Sequence, residues 1–146
     1  MQLYQACIVS KLLYGLQSAW LGKVHRAALD RFHCRCLRRI ARIPHSYYSR
    51  ISNTEVLRST GCRPLQITLL RLQLQYYGGL IRNARHPGHS LLSEQVLHRR
   101  PGRPALNWIH ELGKHVAQFS DNVSSDCLNR NHWRKLVNEY CSKFSG

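Results

Sequence analysis

The run from Lys23 to Ile43, KVHRAALDRFHCRCLRRIARI, spaces Arg31, Arg35, Arg38 and Arg42 three or four residues apart and adds Arg39 beside them. A guanidinium is a permanent cation with a planar fork of donors that matches phosphate, so arginines at this density offer recognition of a polyanion rather than bond making. As one helix, with a rise of ~1.5 Å per residue, the run separates Arg31 from Arg42 by about 16 Å, enough to meet several phosphates of a nucleic-acid backbone. The segment HSYYSR follows, and in it His45, Tyr47, Tyr48 and Arg50 mix rings that can stack on bases or sugars with basic groups for phosphate, Tyr48 and Arg50 being the pair expected in the site. A further basic group, Arg99, Arg100 and Arg103, lies in RRPGRP. An ordinary solvated basic helix would pair with nearby acids. Here the only acid in the run is Asp30, and the whole chain sets 22 Lys and Arg against 7 Asp and Glu, leaving a net charge of +15.

Catalytic chemistry has no comparable footing. A two-metal polymerase centre needs carboxylates close together, and Asp30, Glu55, Glu94, Glu111, Asp121, Asp126 and Glu139 are nowhere adjacent. Asp121, Asp126 and Lys135 fit helix caps and loop positions better than a nuclease centre. Cys34 and Cys36 on a helix point their thiols about 200° apart, which argues against zinc with His33 and His45. Cys127, His132 and Cys141 lack a Cys-x-x-Cys pair, and Gly78-Gly79 is isolated in a helical pattern rather than set in a phosphate loop. We expect no catalytic residues, no metal, no cofactor and no small-molecule substrate.

The elements that must position these residues are helices. Leu3, Ala6, Cys7, Leu13, Leu16 and Trp20 follow helical spacing and predict a first helix from Gln2 to Leu21, with Gly22 separating it from the basic helix. A chain that opens inside an apolar helix has the look of a piece of something longer. On the basic helix, Leu29, Phe32, Cys36, Ile40 and Ile43 share the face expected to pack, with the arginines opposite, and Pro44 ends it. Ser52 and Glu55 form a capping box for a short helix that Gly61 closes. Pro64 opens a long helix to Ala84 with Leu65, Leu69, Leu72, Tyr76 and Leu80 inward, where Gly78-Gly79 either admits a close neighbour or marks a kink. Residues 85–104 read as a basic Pro/Gly linker with a short helix from Leu91 to His98. A helix through Leu106, Ile109, Leu112, Val116 and Phe119, a polar loop, and a helix through Trp133, Leu136, Val137, Tyr140 and Phe144 complete the chain.

The expected fold is all-α: a helical hairpin crossed by a third long helix in residues 1–84, the linker at 85–104, and a small C-terminal helical pair in 105–146. No useful strand alternation is present. Lys11 interrupts the apolar N-terminus, so we expect no membrane span. Six cysteines without a secretory leader read as reduced thiols in an intracellular chain, in the nucleus rather than the cytoplasm.

The block FHCRCLRRIARIPHSYYSRISNTEVLRSTG, Phe32 to Gly61, resembles the segment just after the polymerase palm of non-LTR retrotransposon reverse transcriptases, the thumb region. SKLLYGLQSAW, LQLQYYGGLIRNA, RRPGRPALNW and HWRKLV are similar to flanking family segments in the same order. Gln17 stands where such sequences commonly carry Glu, and Pro101 stands where an arginine would complete an Arg-Gly-Arg-Pro hook for a minor groove. The resemblance implies an α-helical thumb and connector that holds RNA, DNA or a hybrid duplex, with a separate palm domain as a partner. Two other readings stay open: a host interaction protein whose basic helix meets an acidic protein or RNA, and a relic of a retroelement without a role.

Overall fold

A computed structural model of the chain describes residues 1–93 and 108–144, and among these residues there are helices and turns but no strand. The all-α expectation holds. Its axis is α6 (Leu65–Arg82), which buries Leu65, Leu69, Leu70, Gln73, Leu74, Gly78 and Leu80 and is therefore covered on more than one face. Elements from the N-terminal side pack on its first half and elements from the C-terminal side on its second.

Seven elements precede α6 in the chain. α1 (Gln2–Tyr4) runs through a π-helical stretch (Gln5–Val9) into α2 (Ser10–Leu13), and a 3-10 turn (Leu16–Ser18) leads to α3 (Lys23–Ile40). The predicted helix to Leu21 thus stops at Leu13, because Tyr14 is extended and Gly15 takes a left-handed φ of +76°. Leu3, Ala6 and Cys7, expected to face inward, are exposed, whereas Tyr4 and Leu13 are buried. The wider coil accounts for the exchange. Nine regular helical steps turn through 900° and would set Tyr4 and Leu13 on opposite sides, whereas a π stretch of about 4.4 residues per turn reduces the difference to roughly a right angle. Both then reach the core: Tyr4 stacks on His33 of α3 and bonds it at 2.8 Å, and Leu13 joins Leu65 and Leu69. Gln73 of α6 holds the following loop by donating Nε2 to the carbonyls of Leu16, at 3.2 Å, and Ala19.

The buried face of α3 is not the expected one. His33, Cys34, Leu37 and Arg38 are buried, while Phe32 and Ile40 remain 42% and 46% exposed. Apolar spacing pointed at Phe32 and Ile40, but the surface covered by residues 53–60 and α6 carries two polar residues whose partners come from elsewhere in the chain. The helix also ends sooner than Ile43. Ile43 N–H returns to Arg38 O at 2.9 Å and Arg42 N–H to Arg39 O at 3.3 Å, a terminal turn that places Arg42 at φ +54°. Asp30, the one acid of α3, accepts from the Gln66 N–H at 3.1 Å, so it caps the start of α6, where Pro64 supplies no side-chain acceptor. Burial pushes the Asp30 carboxyl up, and the amides of Gln66 and Leu65 counter this.

HSYYSR is a helical turn rather than an open loop: α4 (Ser46–Ser49) begins at His45, whose Nδ1 accepts from Tyr47 N–H, and closes at Arg50 with φ +53°. Half of the predicted capping box forms on α5 (Asn53–Thr60). Ser52 Oγ accepts from Glu55 N–H at 3.1 Å, but the Glu55 carboxylate pairs with Arg58 at 2.8 Å instead of reaching back. Gly61 ends α5 at φ +64°, as expected.

Beyond α6 come a 3-10 turn (Pro87–His89), α7 (Ser90–Ser93), α8 (Trp108–Val116), α9 (Val123–Leu128) and α10 (Arg130–Ser142). The rest of the predicted Leu91 to His98 helix lies outside the described residues. The C-terminal pair is a trio, because α9 occupies the polar loop: Asn122 Oδ1 caps it by accepting from Ser125 N–H at 3.3 Å. Trp108, Leu112, Val116, Cys127, Trp133, Val137, Tyr140 and Cys141 share one cluster with Leu70, Leu74 and Leu80 of α6. Gly78 makes this possible. A Cβ there would lie 2.6 Å from Trp133 Cδ1 and 2.8 Å from Cε2, while the indole Nε1 donates to Leu74 O at 2.9 Å. Of the two readings of Gly78-Gly79, close approach is the one realised.

Candidate nucleic-acid interface

Arg31, Arg35 and Arg39 are exposed on α3, four residues apart, and so recur within about 80° of one helix face. Over eight residues they span about 12 Å, the rise of three to four base-pair steps. Val24, 73% exposed, continues the same face toward the N-terminus. No acid sits among them. The ion pairs among the described residues are Arg58–Glu55, Lys114–Glu111 and, with a protonated imidazole, His132–Asp126, so none of the three arginines is neutralised by a neighbour. Arg39 also sits in the last turn of α3, where unpaired carbonyls favour a cation.

Arg38 is a correction. It was expected to meet phosphate alongside its neighbours, but it is only 6% exposed and its guanidinium is committed to the chain itself. Nη1 donates to Pro44 O and to Ser49 Oγ, both at 3.3 Å. Nη2 donates to Ile51 O and, at 3.4 Å, to Asn53 Oδ1. A buried cation whose two terminal nitrogens are taken by carbonyl, hydroxyl and amide oxygens has no terminal fork to offer a phosphate. Its work is to hold residues 44–53 against the end of α3.

What Arg38 holds is the rest of the candidate surface. Arg42 lies in the left-handed turn that ends α3 rather than on the helical stripe, and Arg50 occupies the equivalent position after α4; both are exposed. Between them, Tyr47 and Tyr48 are each 79% exposed, so neither plugs the core beneath the turn. The rings meet edge to face, with centroids 5.3 Å apart and planes at 89°. Hydrogen bonds to His45 O from Tyr48 and Ser49, at 2.9 and 3.0 Å, and to Ser46 O from Arg50, at 3.0 Å, fix the backbone that carries them.

Arg99, Arg100 and Arg103 lie outside the described residues. A groove of about 590 Å³ runs beside α3 on the side facing α5, with Arg31 on its rim and Trp20, Arg26 and Asp30 among its walls. Arg26 stacks on the Trp20 ring at 3.6 Å and donates Nε to Leu21 O at 2.9 Å, so it braces the loop before α3. Cys34 is buried and its thiol is pushed up by that burial, while Cys36 packs beside Tyr4, Leu37 and Val56. Asp126 accepts from Ser120 Oγ at 2.7 Å and lies 3.4 Å from His132 Nε2, a local fastening at the start of α9. No helix among the described residues is long and apolar enough to cross a membrane. In comparison with known proteins, no family model, no curated protein and no solved structure matches the chain.

Proposed function

We propose that the chain binds nucleic acid through its backbone, with Arg31, Arg35 and Arg39 of α3 meeting successive phosphates and Arg42 and Arg50 extending the contact past the helix end. The observation that carries this is a run of exposed arginines without a single ion pair among the described residues, on a chain of net charge +15. Phosphate contacts position a ligand without reading its sequence, so binding has little sequence preference. The resemblance of Phe32 to Gly61 supports a more specific setting: a thumb and connector piece of a non-LTR retrotransposon reverse transcriptase, holding template and product strands beside a palm that this chain does not contain. In that reading the chain has no catalytic activity of its own.

Binding of a labelled duplex at several salt concentrations tests the proposal. If five arginines each neutralise one phosphate, log affinity falls against log salt with a slope of roughly −4 to −5. Replacing Arg35 and Arg39 with alanine lowers that slope by about 2 and weakens all sequences alike. A shallow slope with every nucleic acid, together with selective capture of one acidic protein, would overturn it in favour of a protein partner.

A further inference from the structure

We infer that the ligand is a duplex with unpaired nucleotides at one end, and that Tyr47 and Tyr48 take an unpaired base while the α3 arginines take the paired region. This rests on the nucleic-acid reading above and adds the class of ligand. Two tyrosine rings kept 79% exposed are poor uses of apolar surface unless something covers them. The backbone that carries them is fastened by hydrogen bonds. Arg38 ties Pro44, Ser49, Ile51 and Asn53 together beneath them, and α4 is closed by backbone hydrogen bonds at both ends. A preformed platform costs a ligand little ordering, which distinguishes it from a loop exposed by chance.

Phosphates have no use for a ring face, and inside a duplex each base face is already covered by the next pair. A tyrosine can therefore stack only on a base that is unpaired or terminal. The edge-to-face arrangement leaves ring surface free for that contact. Placement supplies the rest: the bonds from Arg38 to Ser49 and Pro44 hold α4 at the C-terminal end of α3, so a backbone laid along Arg31, Arg35 and Arg39 for three to four steps meets the turn that carries the tyrosines where the stripe ends. Arg42 and Arg50 lie on either side of the pair in the chain, suited to the phosphates of a departing strand.

The test compares three ligands on the full chain: a short blunt duplex, the same duplex with a tail of a few unpaired nucleotides, and the same duplex with an abasic tail carrying equal charge. The tailed duplex should bind roughly tenfold more tightly than the other two, and a fluorescent base analogue in the tail should be quenched on binding. Tyr47→Ala with Tyr48→Ala should abolish the preference and the quenching while leaving the salt slope unchanged. The corresponding double change to Phe should keep both. Equal affinity for base-bearing and abasic tails, with the salt slope intact, would overturn this inference and leave the arginine reading standing. Loss of salt-dependent binding to all three ligands would remove both.

Discussion

Around the second half of α6 a continuous core brings Trp108, Trp133 and Tyr140 together with Leu, Val and Cys side chains, and Phe119 packs on it from the rim. Around the first half there are two small clusters, one built on Tyr4, Leu37 and Val56 and the other on Leu13, Leu65 and Leu69. The candidate interface lies entirely on the weaker side. There the loops are held by polar side chains, Arg38, Gln73 and Asp30, that reach backbone groups across long sequence distances. The C-terminal half is a framework closed by aromatic packing, whereas the N-terminal half leaves its cations in water and is held in shape by a few directional bonds.

This contrast is most open to attack at Trp133. Its replacement by alanine should cost about 3–5 kcal/mol by removing a fully buried indole and its bond to Leu74, and Gly78→Ala should cost about 1–3 kcal/mol because the indole cannot yield to a methyl group. Thermal or urea unfolding measures both. A Gly78→Ala protein as stable as the parent would mean that α10 does not seat on α6.

Arg38→Ala comes next. Removing the buried guanidinium and its four hydrogen bonds to Pro44, Ser49, Ile51 and Asn53 should cost about 1.5–3 kcal/mol and weaken nucleic-acid binding by loosening α4, whereas Arg35→Ala, one turn away and exposed, should change stability by less than about 0.5 kcal/mol. If the two substitutions proved equal in stability and in salt slope, Arg38 would belong back among the phosphate contacts.

Acid should affect both halves at once. His33 on one side and His115 on the other are held below the ordinary histidine value of 6.5, in both cases mainly by burial, with Asp30 partly countering it for His33, and Arg26 adding to it at His115. The unfolded chain then binds more protons than the folded one. Stability is fully present above pH 6.5 and is lost as pH falls through the lowered folded values. The urea midpoint should fall between neutral pH and pH about 5, and His33→Gln should flatten part of that dependence. A midpoint independent of pH over this range would show that neither imidazole is held neutral.

The smallest expected change is a gain. Arg42 and Arg50 hold left-handed conformations that a Cβ disfavours, so glycine at either should stabilise by about 0.5–1 kcal/mol while removing one phosphate contact and about 0.9 from the salt slope. Such a trade of stability against binding would confine the strained turns to the functional half.

Much of the framework could be read from residue types. Gly61 closes α5 and Pro64 opens α6 where expected, the leucine spacing from Leu65 to Leu80 marks the central helix, and of the close approach or kink expected at Gly78-Gly79 the close approach is present. What failed shares one cause. His33, Arg38 and Gln73 look like surface residues to any pattern based on polarity, and they are buried because Tyr4 Oη, Ile51 O and Ala19 O happen to meet them. Those partners are distant in sequence and carry no local signature. Phe32 and Ile40 were consequently assigned to the core in their place. At the interface, the exposed arginines of α3 and the Tyr48 and Arg50 turn were legible from spacing; the division of labour between Arg38 and its neighbours was not.

The π-helical stretch at Gln5–Val9 acts as one residue inserted into an otherwise regular helix. Deleting a single residue there would leave eight regular steps, about 800°, between Tyr4 and Leu13, which is close to the angle that the wider coil already sets between them. Tyr4 would keep its bearing toward His33 and Leu13 its bearing toward Leu65. The head of the chain can thus shorten by one residue in this stretch without turning either side chain away from its partner.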